Sequence, residues 1–286
     1  MRFAEDRLAS FKGRHGAVRT VHIWEPAQPR AVLLALHGGM AHGGDYVTPA
    51  LYFRAHGIAT AAFDQCGHGN ARRADIPDFD IFIDEAELFL GWVKHHYPGV
   101  PIFILGHSMG GLIATRLGLE RLPRDDSVKG FIVSSPYYVN AIKVPALMQR
   151  LAPLLAKLLP TMKVPLAPLT DVLTHDVAIT ARHHVDERDG IRAGELTLRM
   201  GNALAQAQRG LAEKMPTWRF PLYAVLAGQD RLADTPAVEA LLGTVDGALL
   251  ECHIHPQNYH ENFNEVNREE IYADILRWMA PRIAVS

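Results

Sequence analysis

Short apolar segments rich in β-branched residues alternate with helical patterns along most of the chain. Strands are predicted at 17–24, 31–38, 57–64, 101–107, 128–135, 221–228 and 248–255, and helices at 44–56, 80–97, 109–121, 235–243 and 264–280. Strands that are apolar throughout and separated by helices are typical of a parallel sheet covered on both faces. The sequence therefore predicts an α/β fold with a doubly wound, mostly parallel sheet, and an antiparallel hairpin at one edge formed by the opening segment.

The alternation stops between residues 137 and 215. Prolines at 145, 153, 160, 165 and 168 interrupt leucine-rich pieces, a polar stretch follows at 171–190, and a helical pattern covers 193–214. No strand pattern is evident in this span. We therefore expect a core formed by residues 1–136 and 216–286 and a helical cap inserted at residues 137–215. A plain peripheral helical subdomain is the alternative.

Composition and charge argue against a nucleic-acid-binding, a secreted, a membrane-spanning or a disulfide-rich protein. The 286 residues carry a net charge of −2 and no basic stripe, so we expect no nucleic-acid partner. The charged N-terminus lacks the apolar region of a signal peptide, and no apolar run is long enough to cross a bilayer. Cys66 and Cys252 are too few for a disulfide framework. A bridge between them is one alternative, and a reduced cytoplasmic protein is the simpler interpretation.

One serine stands at the junction of a predicted strand and a predicted helix. In "GHSMGG", residues 106–111, Ser108 fits the G-x-S-x-G pattern of a nucleophile at a sharp strand-to-helix turn. Such a turn requires strained backbone angles, and Gly106 and Gly110 remove side chains that would collide there. We therefore expect Ser108 to be a catalytic nucleophile. A glycine-rich turn with an incidental serine is the alternative.

A nucleophilic serine needs a base, and the base needs an acid that orients it. Asp230 directly follows the predicted strand 221–228. His260 follows the predicted strand 248–255 and is expected to open the last helix. Because the carboxyl ends of parallel strands lie at one sheet edge, we expect both beside Ser108. Asp234 is the alternative acid. The alternative bases, at positions 253 and 255, alternate within a strand and should pack or face solvent.

An oxyanion hole needs two backbone N–H groups that point to one position. Met109, the residue after the predicted nucleophile, supplies the first. The loop "LHGGMAHGGDY", residues 36–46, follows an early strand, and Gly39 within it is the candidate for the second. A merely flexible glycine loop is the alternative.

Four sequence blocks together resemble the α/β-hydrolase superfamily, and within it the monoacylglycerol lipase and lysophospholipase branch. They are "HGGMAHGGDY", "FDQCGHGNARR", "GHSMGG", and "GQDRLADTPA" with "YHENFNE", spanning residues 37–265. The resemblance implies a nucleophile, an acid and a base at Ser108, Asp230 and His260, with an oxyanion hole from the Gly39 and Met109 amides. It also implies a mobile, apolar cap that admits a single acyl chain, a role that suits residues 145–169.

Two positions depart from the family pattern. The family commonly has glutamate in H-G-x-x-E-H where this chain has Ala41, and arginine in the D-x-x-G-H-G block where it has Cys66. Neither change touches the predicted catalytic residues, but both bear on the shape of the pocket and on its contacts with a head group.

The predicted function is a serine carboxylic-ester hydrolase for lipids with one acyl chain, of the monoacylglycerol lipase or lysophospholipase type. A broad short-chain carboxylesterase is the nearest alternative, and a non-catalytic small-molecule receptor on the same fold is the alternative from another class. A dehalogenase or an epoxide hydrolase would have aspartate in place of Ser108. A peptidase would share the triad, but the sequence identifies no acidic patch for a substrate amino group.

We expect no metal and no other cofactor. The sequence contains no H-E-x-x-H, no C-x-x-C and no G-x-G-x-x-G after the first strand. The histidine pairs in "KHHYP" (94–98) and "RHHVDERD" (182–189) are predicted to be solvated surface. The cap segment 145–169 and its neighbour Lys143 combine leucines with basic residues, so transient contact with a membrane surface is a second expected role. The sequence does not predict the oligomeric state.

Overall fold

The computed structural model describes residues 4–69, 73–122, 125–164 and 169–284. Its strands in chain order are β1 (Arg7–Lys12), β2 (Val18–Trp24), β3 (Ala31–Leu36), β4 (Ile58–Phe63), β5 (Arg73–Ala74), β6 (Ile102–His107), β7 (Val128–Ser134), β8 (Lys163–Val164), β9 (Glu195–Thr197), β10 (Leu222–Ala227) and β11 (Leu250–His255). Its helices are α1 (Val47–Ala55), α2 (Asp80–His96), α3 (Met109–Glu120), α4 (Ala146–Leu158), α5 (Val177–Arg188), α6 (Leu198–Gln208), α7 (Leu211–Lys214), α8 (Thr235–Leu242) and α9 (Arg268–Ile283).

Eight of these strands form the main sheet, in the order β1-β2-β4-β3-β6-β7-β10-β11. β2 is antiparallel to both β1 and β4, and every other pair is parallel. The predicted edge hairpin and the mostly parallel sheet are thus confirmed. Leu36 pairs with Gly106, and His107 pairs with Ser134, so the carboxyl ends of β3, β6 and β7 meet at one sheet edge.

Two apolar layers cover the main sheet, one on each face. β3 shows how they arise: Val32, Leu34 and Leu36 point into one layer, and its alternate residues point into the other, as the two-residue period of a strand requires. Helices α2, α3 and α8 contribute buried residues to the first layer, and α1 and α9 contribute to the second. This three-layer packing is the predicted doubly wound architecture.

The span between β7 and β10 differs in part from the prediction. It contains helices α4 to α7, but also the short strands β8 and β9, which form a three-stranded sheet with β5. The helical pattern at 193–214 therefore begins with a strand, and the polar stretch 171–190 contains an unpredicted helix, α5. Prolines 165 and 168 lie outside the described residues. No strand of the main sheet lies between residues 137 and 215 in the described ranges, and these cap boundaries remain a proposal.

Helix α4 carries apolar side chains on its exposed surface. Leu147, Leu154 and Leu158 are 67%, 54% and 66% exposed, and Ala156 is the buried residue of this helix. The apolar face of α4 is therefore largely in contact with solvent. Among the described helices, none combines the length and the apolar character needed to cross a bilayer.

Candidate active site

Ser108 occupies the turn between β6 and α3 with a strained backbone. Its φ and ψ are +53° and −117°, a region that costs a residue with a side chain about 1–3 kcal/mol. The flanking glycines explain how this turn forms. A Cβ atom on Gly106 would lie 2.4 Å from the carbonyl oxygen of Gly110, and one on Gly110 would lie 1.8 Å from that of Leu36. Glycine is therefore required at both positions, as predicted.

His260 and Asp230 form a buried pair at the same sheet edge. His260 Nδ1 lies 2.7 Å from Asp230 Oδ2, and the two side chains are 3% and 1% exposed. Asp230 Oδ1 accepts hydrogen bonds from the N–H groups of Leu232 and Ala233. Burial would raise the pKa of the Asp230 carboxyl group, but His260 and these N–H groups lower it. Asp230 is thus held as a carboxylate next to the imidazole ring.

The alternative residues have other partners. Asp234 accepts a hydrogen bond from the Ala237 N–H at 3.1 Å and caps α8. On the edge strand β11, His253 contacts Glu251, and His255 lies 3.3 Å from the Asn267 side chain. Of these candidates, the structure brings only Asp230 and His260 together.

The loop that carries His260 is anchored from the core. We predicted that His260 opens the last helix, which is wrong: α9 begins at Arg268, and a short 3₁₀ helix (Asn262–Asn264) lies between. Asn262 is fully buried, and its side-chain amide donates to Ser135 Oγ at 3.0 Å. This buried amide supports His260 without a helical turn. His260 Nε2 is buried and has no hydrogen-bond partner within the described residues.

The loop after β3 lies against the nucleophile turn. A Cβ atom on Gly38 would lie 3.4 Å from Ser108 Cβ, and one on Gly39 would lie 3.8 Å from Met109 Sδ. The Gly39 and Met109 residues are thus neighbours, although 70 positions separate them in sequence. Gln65, from the block after β4, supports this loop: its N–H donates to His37 Nε2 at 3.1 Å. Their role as oxyanion donors stays a prediction.

A second histidine lies next to the predicted base. The ring centroids of His107 and His260 are 4.8 Å apart. Burial lowers the pKa of His107 to about 4, and the neighbouring His260 adds to this effect. His107 therefore stays neutral at physiological pH.

Ser108 and His260 line one cavity of about 310 Å³. The core contributes Gly38, Gly39, Met40, Ala41, His107, Leu232 and Glu261, and the span 137–215 contributes Leu169, Thr170, Leu173, His184, Glu187, Arg192, Ala193 and Gly194. One wall therefore comes from the predicted core and the other from the predicted cap, residues 137–215. Ala41 lines the cavity from the core side, whereas Cys66 does not line the cavity. Cys66 and Cys252 are both free thiols.

A cluster of charged side chains joins the predicted cap to the predicted core beside the cavity. We call Asp45, Arg182, His183, Arg192 and Glu261 the cap–core ion cluster. Asp45 contacts Arg192 Nη1 at 2.5 Å and Arg182 Nη2 at 3.3 Å. His183 Nδ1 accepts from Arg192 Nη1 at 3.2 Å, and His183 Nε2 donates to Glu261 Oε2 at 2.8 Å. The ring of His183 therefore bridges a cap cation and a core anion.

No pattern in the sequence predicts this cluster. The stretch 182–189 was predicted to be solvated, which is wrong for its second residue: His183 is fully buried, while His184 is 49% exposed. The other predicted surface pair, His95 and His96, is exposed. Burial would raise the pKa of the Asp45 carboxyl group, but Arg192 and His42 hold it well below its usual value.

Within the described ranges, two groups of side chains have the spacing of metal ligands, but their chemistry is that of ion pairs. They are His22, His42 and Asp64, and His42, Asp45 and Asp186. Both ring nitrogens of His22 face carboxylates, those of Glu5 and Asp64. Burial would lower the pKa of His22, but these two carboxylates raise it to about 8. Asp45 is already bound by two arginines. We therefore assign no metal to either group.

The chain resembles known hydrolases along nearly its whole length. It is 28% identical over 273 residues to the monoacylglycerol lipase of Mycolicibacterium smegmatis, covering 94% of this chain and 95% of that protein. It is 29% identical to phospholipase YtpA of Bacillus subtilis, covering 87% of this chain and 95% of that protein. The crystal structure of a soluble variant of Saccharomyces cerevisiae monoglyceride lipase with a substrate analogue shares the fold. Its TM-score is 0.82 at 21% identity, over 98% of this chain and 96% of that one.

The family model described as serine aminopeptidase, S33, matches residues 27–267. This range includes the predicted nucleophile turn, both partner residues and the whole cap span. The match confirms the predicted fold and the predicted class of enzyme, a serine hydrolase. The chain belongs to the serine aminopeptidase S33 family of α/β hydrolases, within its monoacylglycerol lipase branch.

Proposed function

We propose that the protein is a serine carboxylic-ester hydrolase in which Ser108, His260 and Asp230 act as nucleophile, base and orienting acid. One observation carries this proposal: a strained serine shares a cavity with a buried histidine whose Nδ1 is bound to a carboxylate. The opposite ring nitrogen, His260 Nε2, has no partner in the described chain and is available for the serine proton.

The proposed reaction proceeds through an acyl-enzyme. His260 Nε2 takes the proton of the Ser108 hydroxyl while the oxygen attacks the ester carbonyl carbon. The protonated ring then donates this proton to the leaving alcohol as the C–O bond breaks. Water, deprotonated by His260, attacks the acyl-enzyme, and the carboxylic acid and free Ser108 are released. Asp230 keeps the ring in the required tautomer throughout.

The Gly39 and Met109 amides are the proposed donors to the tetrahedral oxyanion. Their residues are adjacent, and Met109 starts α3, whose N-terminus favours negative charge. One such donor is typically worth about 2.7–4 kcal/mol of transition-state stabilisation. These amides give the site the means to stabilise a developing negative charge, which a receptor on the same fold would not need.

The proposed substrate is an ester with one acyl chain. Its proposed head group is a neutral glycerol and not a charged group that contains phosphate. Two sequence relatives are named as a monoacylglycerol lipase and a phospholipase. Among the described residues, Arg192 is the only arginine or lysine that lines the cavity. It is already bound to Asp45 and lies 3.6 Å from Glu261. A phosphate would therefore meet a neutralised cation beside two carboxylates, so a monoacylglycerol fits this charge distribution better.

Residues 137–215 are the proposed cap, and α4 is its proposed contact with membranes. Its exposed leucines are accompanied by Lys143, Arg150 and Lys157, a combination that favours the surface of a lipid layer. We propose a cytoplasmic protein that touches membranes transiently while it takes up substrate. Free thiols at Cys66 and Cys252 are consistent with a reducing compartment.

A hydrolysis panel tests the proposed function. It compares p-nitrophenyl esters from C2 to C16, a monoacylglycerol, a lysophosphatidylcholine and an aminoacyl p-nitroanilide, with Ser108→Ala as the inactive control. We expect the monoacylglycerol to be turned over faster than the lysophospholipid and the anilide to be inert. An optimum at C2 to C4 without lipid turnover would favour the short-chain carboxylesterase. Cleavage of the anilide would favour a peptidase, with Glu187 in the cavity wall as the partner of its amino group.

A further inference from the structure

The segment H-E-x-x-N-E, residues 260–265, contains two glutamates that the proposed chemistry does not use. Glu261 and Glu265 are 6% and 0% exposed. Both carboxylates face the cap: Glu261 Oε2 lies 2.8 Å from His183 Nε2, and Glu265 Oε1 lies 2.9 Å from His175 Nδ1. The segment that carries the proposed base therefore also holds the cap.

Glu261 has the denser set of contacts with the cap. Its backbone N–H donates to the carbonyl oxygen of Leu173 at 2.8 Å. Its carboxylate accepts a hydrogen bond from His183 and lies 3.6 Å from Arg192. A third donor, the side-chain amide of Asn264, comes from its own loop at 2.7 Å. Burial alone would raise the pKa of the Glu261 carboxyl group, but His183 and Arg192 lower it, so it is a buried anion with partners on the cap.

The two glutamates differ in their relation to the reaction site. Glu261 is adjacent to His260 in sequence and lines the catalytic cavity, whereas Glu265 is not among the described residues that line it. The loop has further anchors at Asn262, which binds Ser135, and at the Asp230–His260 pair. Those anchors lie within the core. Glu261 is an anchor next to His260 that depends on the cap and also lines the cavity.

We propose that Glu261 is a positioning residue that couples docking of the cap to the orientation of His260. The inference rests on the proposed function, in which His260 is the base. With the cap docked, the carboxylate is satisfied and the backbone of the adjacent residue is fixed. When the cap moves away, a buried anion loses the partners that offset its desolvation, and the loop relaxes toward solvent. The base is fully oriented only while the cap covers the cavity.

The test uses p-nitrophenyl acetate, an ester too small to need an acyl-chain pocket. Glu261→Gln keeps the size of the side chain and removes its charge. We expect kcat to fall about tenfold, since a small misplacement of a catalytic group has effects of this size or larger, with KM unchanged. Glu269→Gln, on the exposed first turn of α9, is the matched control and should keep the wild-type kcat.

A double-mutant cycle shows whether Glu261 acts through the cap. Arg192→Met removes the cap arginine that faces Glu261 and should also lower kcat about tenfold. If the two residues act as one unit, the kcat of the double variant should be about tenfold below that of the wild type, and not about a hundredfold below it. Independent, multiplicative effects would overturn the coupling, and so would an unchanged kcat in folded Glu261→Gln.

A second measurement keeps the inference testable if Glu261→Gln does not fold. Arg192→Met leaves the sequence of the His260 loop unchanged, and amide hydrogen exchange in the peptide containing residues 258–264 should become faster in this variant. Wild-type exchange together with wild-type kcat in this variant would overturn the inference. A wild-type protein that hydrolyses no ester would overturn the proposed function as well, whereas an active wild type with unaltered variants would overturn the coupling alone.

Discussion

The two walls of the cavity are held in place by different interactions. On the core side, glycines let backbone atoms approach closely, as where a Cβ on Gly110 would lie 1.8 Å from the Leu36 carbonyl oxygen, and buried amides such as Asn262 fix the loops. On the cap side, the attachment is a cluster of ion pairs, and α4 leaves leucines up to 67% exposed. Closely packed backbone atoms can adopt only one geometry, whereas the strength of ion pairs depends on pH and on the surrounding solvent.

Two buried carboxylates next to the proposed base illustrate this difference. Asp230 binds the ring of His260 directly and is held by two N–H groups of its own turn. Glu261 follows His260 in sequence and is held across the boundary by His183 and Arg192. In our proposal, the core side determines the chemistry, and the cap side determines when the catalytic residues are fully oriented.

The strongest way to break the core side is to alter the orientation of the base. Asp230→Asn keeps the shape of the side chain but replaces the acceptor of the His260 N–H. We expect kcat for p-nitrophenyl butyrate to fall about 10³- to 10⁴-fold. Asp234→Asn is the matched control: it alters a helix cap worth about 1 kcal/mol and should leave kcat within twofold. Equal losses in the two variants would remove the distinction between these aspartates.

The close packing at the nucleophile turn predicts a large effect on stability. Gly110→Ala places a methyl group against the backbone of β3, which cannot move aside. The free energy of unfolding, measured by urea denaturation, should therefore fall by about 3 kcal/mol. Gly91→Ala in α2 is the control, because nothing lies within 4 Å of its new Cβ, and alanine favours a helix by about 1 kcal/mol. If both substitutions had the same effect, the proposed close approach would be absent.

The ion pairs of the cap side predict a dependence on acid. The pKa of Asp45 is lowered in the folded protein from its usual 3.8, so its stabilising contribution is present above that value and is lost as the pH falls through the folded pKa. Asp45→Asn should reduce the free energy of unfolding by about 3 kcal/mol at pH 7. This gap should narrow by about 1 kcal/mol between pH 5 and pH 3. The exposed Asp189→Asn should show no such gap, and a gap independent of pH would contradict the assignment.

The smallest expected effect concerns the exposed surface of α4. Leu154→Ser should lower the turnover of a monoacylglycerol in anionic vesicles about fivefold. This factor corresponds to about 1 kcal/mol, the energy lost when less apolar surface is buried in the membrane. Hydrolysis of dissolved p-nitrophenyl butyrate and the unfolding midpoint should not change, because Leu154 is already 54% exposed. Val18→Ser, at a 69% exposed position on the edge hairpin, is the control. Equal vesicle turnover in wild type and Leu154→Ser would exclude α4 as a membrane contact.

The sequence predicts the core side well because its signals are local. Ser108 and Asp230 each follow an apolar strand, His260 follows the next strand along the chain, and glycines mark the turn that holds Ser108. The cap side has no such signal. His183 is buried only because Glu261, 78 positions away, accepts its hydrogen bond, and Arg192 pairs with Asp45 across 147 positions. Polar residues that are buried through distant partners look like surface in the sequence, which is also why α5 was not predicted.

The most direct test of the account is covalent labelling by a fluorophosphonate, followed by mass mapping of the modified residue. We predict a single adduct on Ser108 in the wild type, much slower labelling of His260→Ala, and none of Ser108→Ala with its circular dichroism spectrum unchanged. An adduct on a different serine, or ester hydrolysis that persists in folded Ser108→Ala, would contradict the proposed nucleophile.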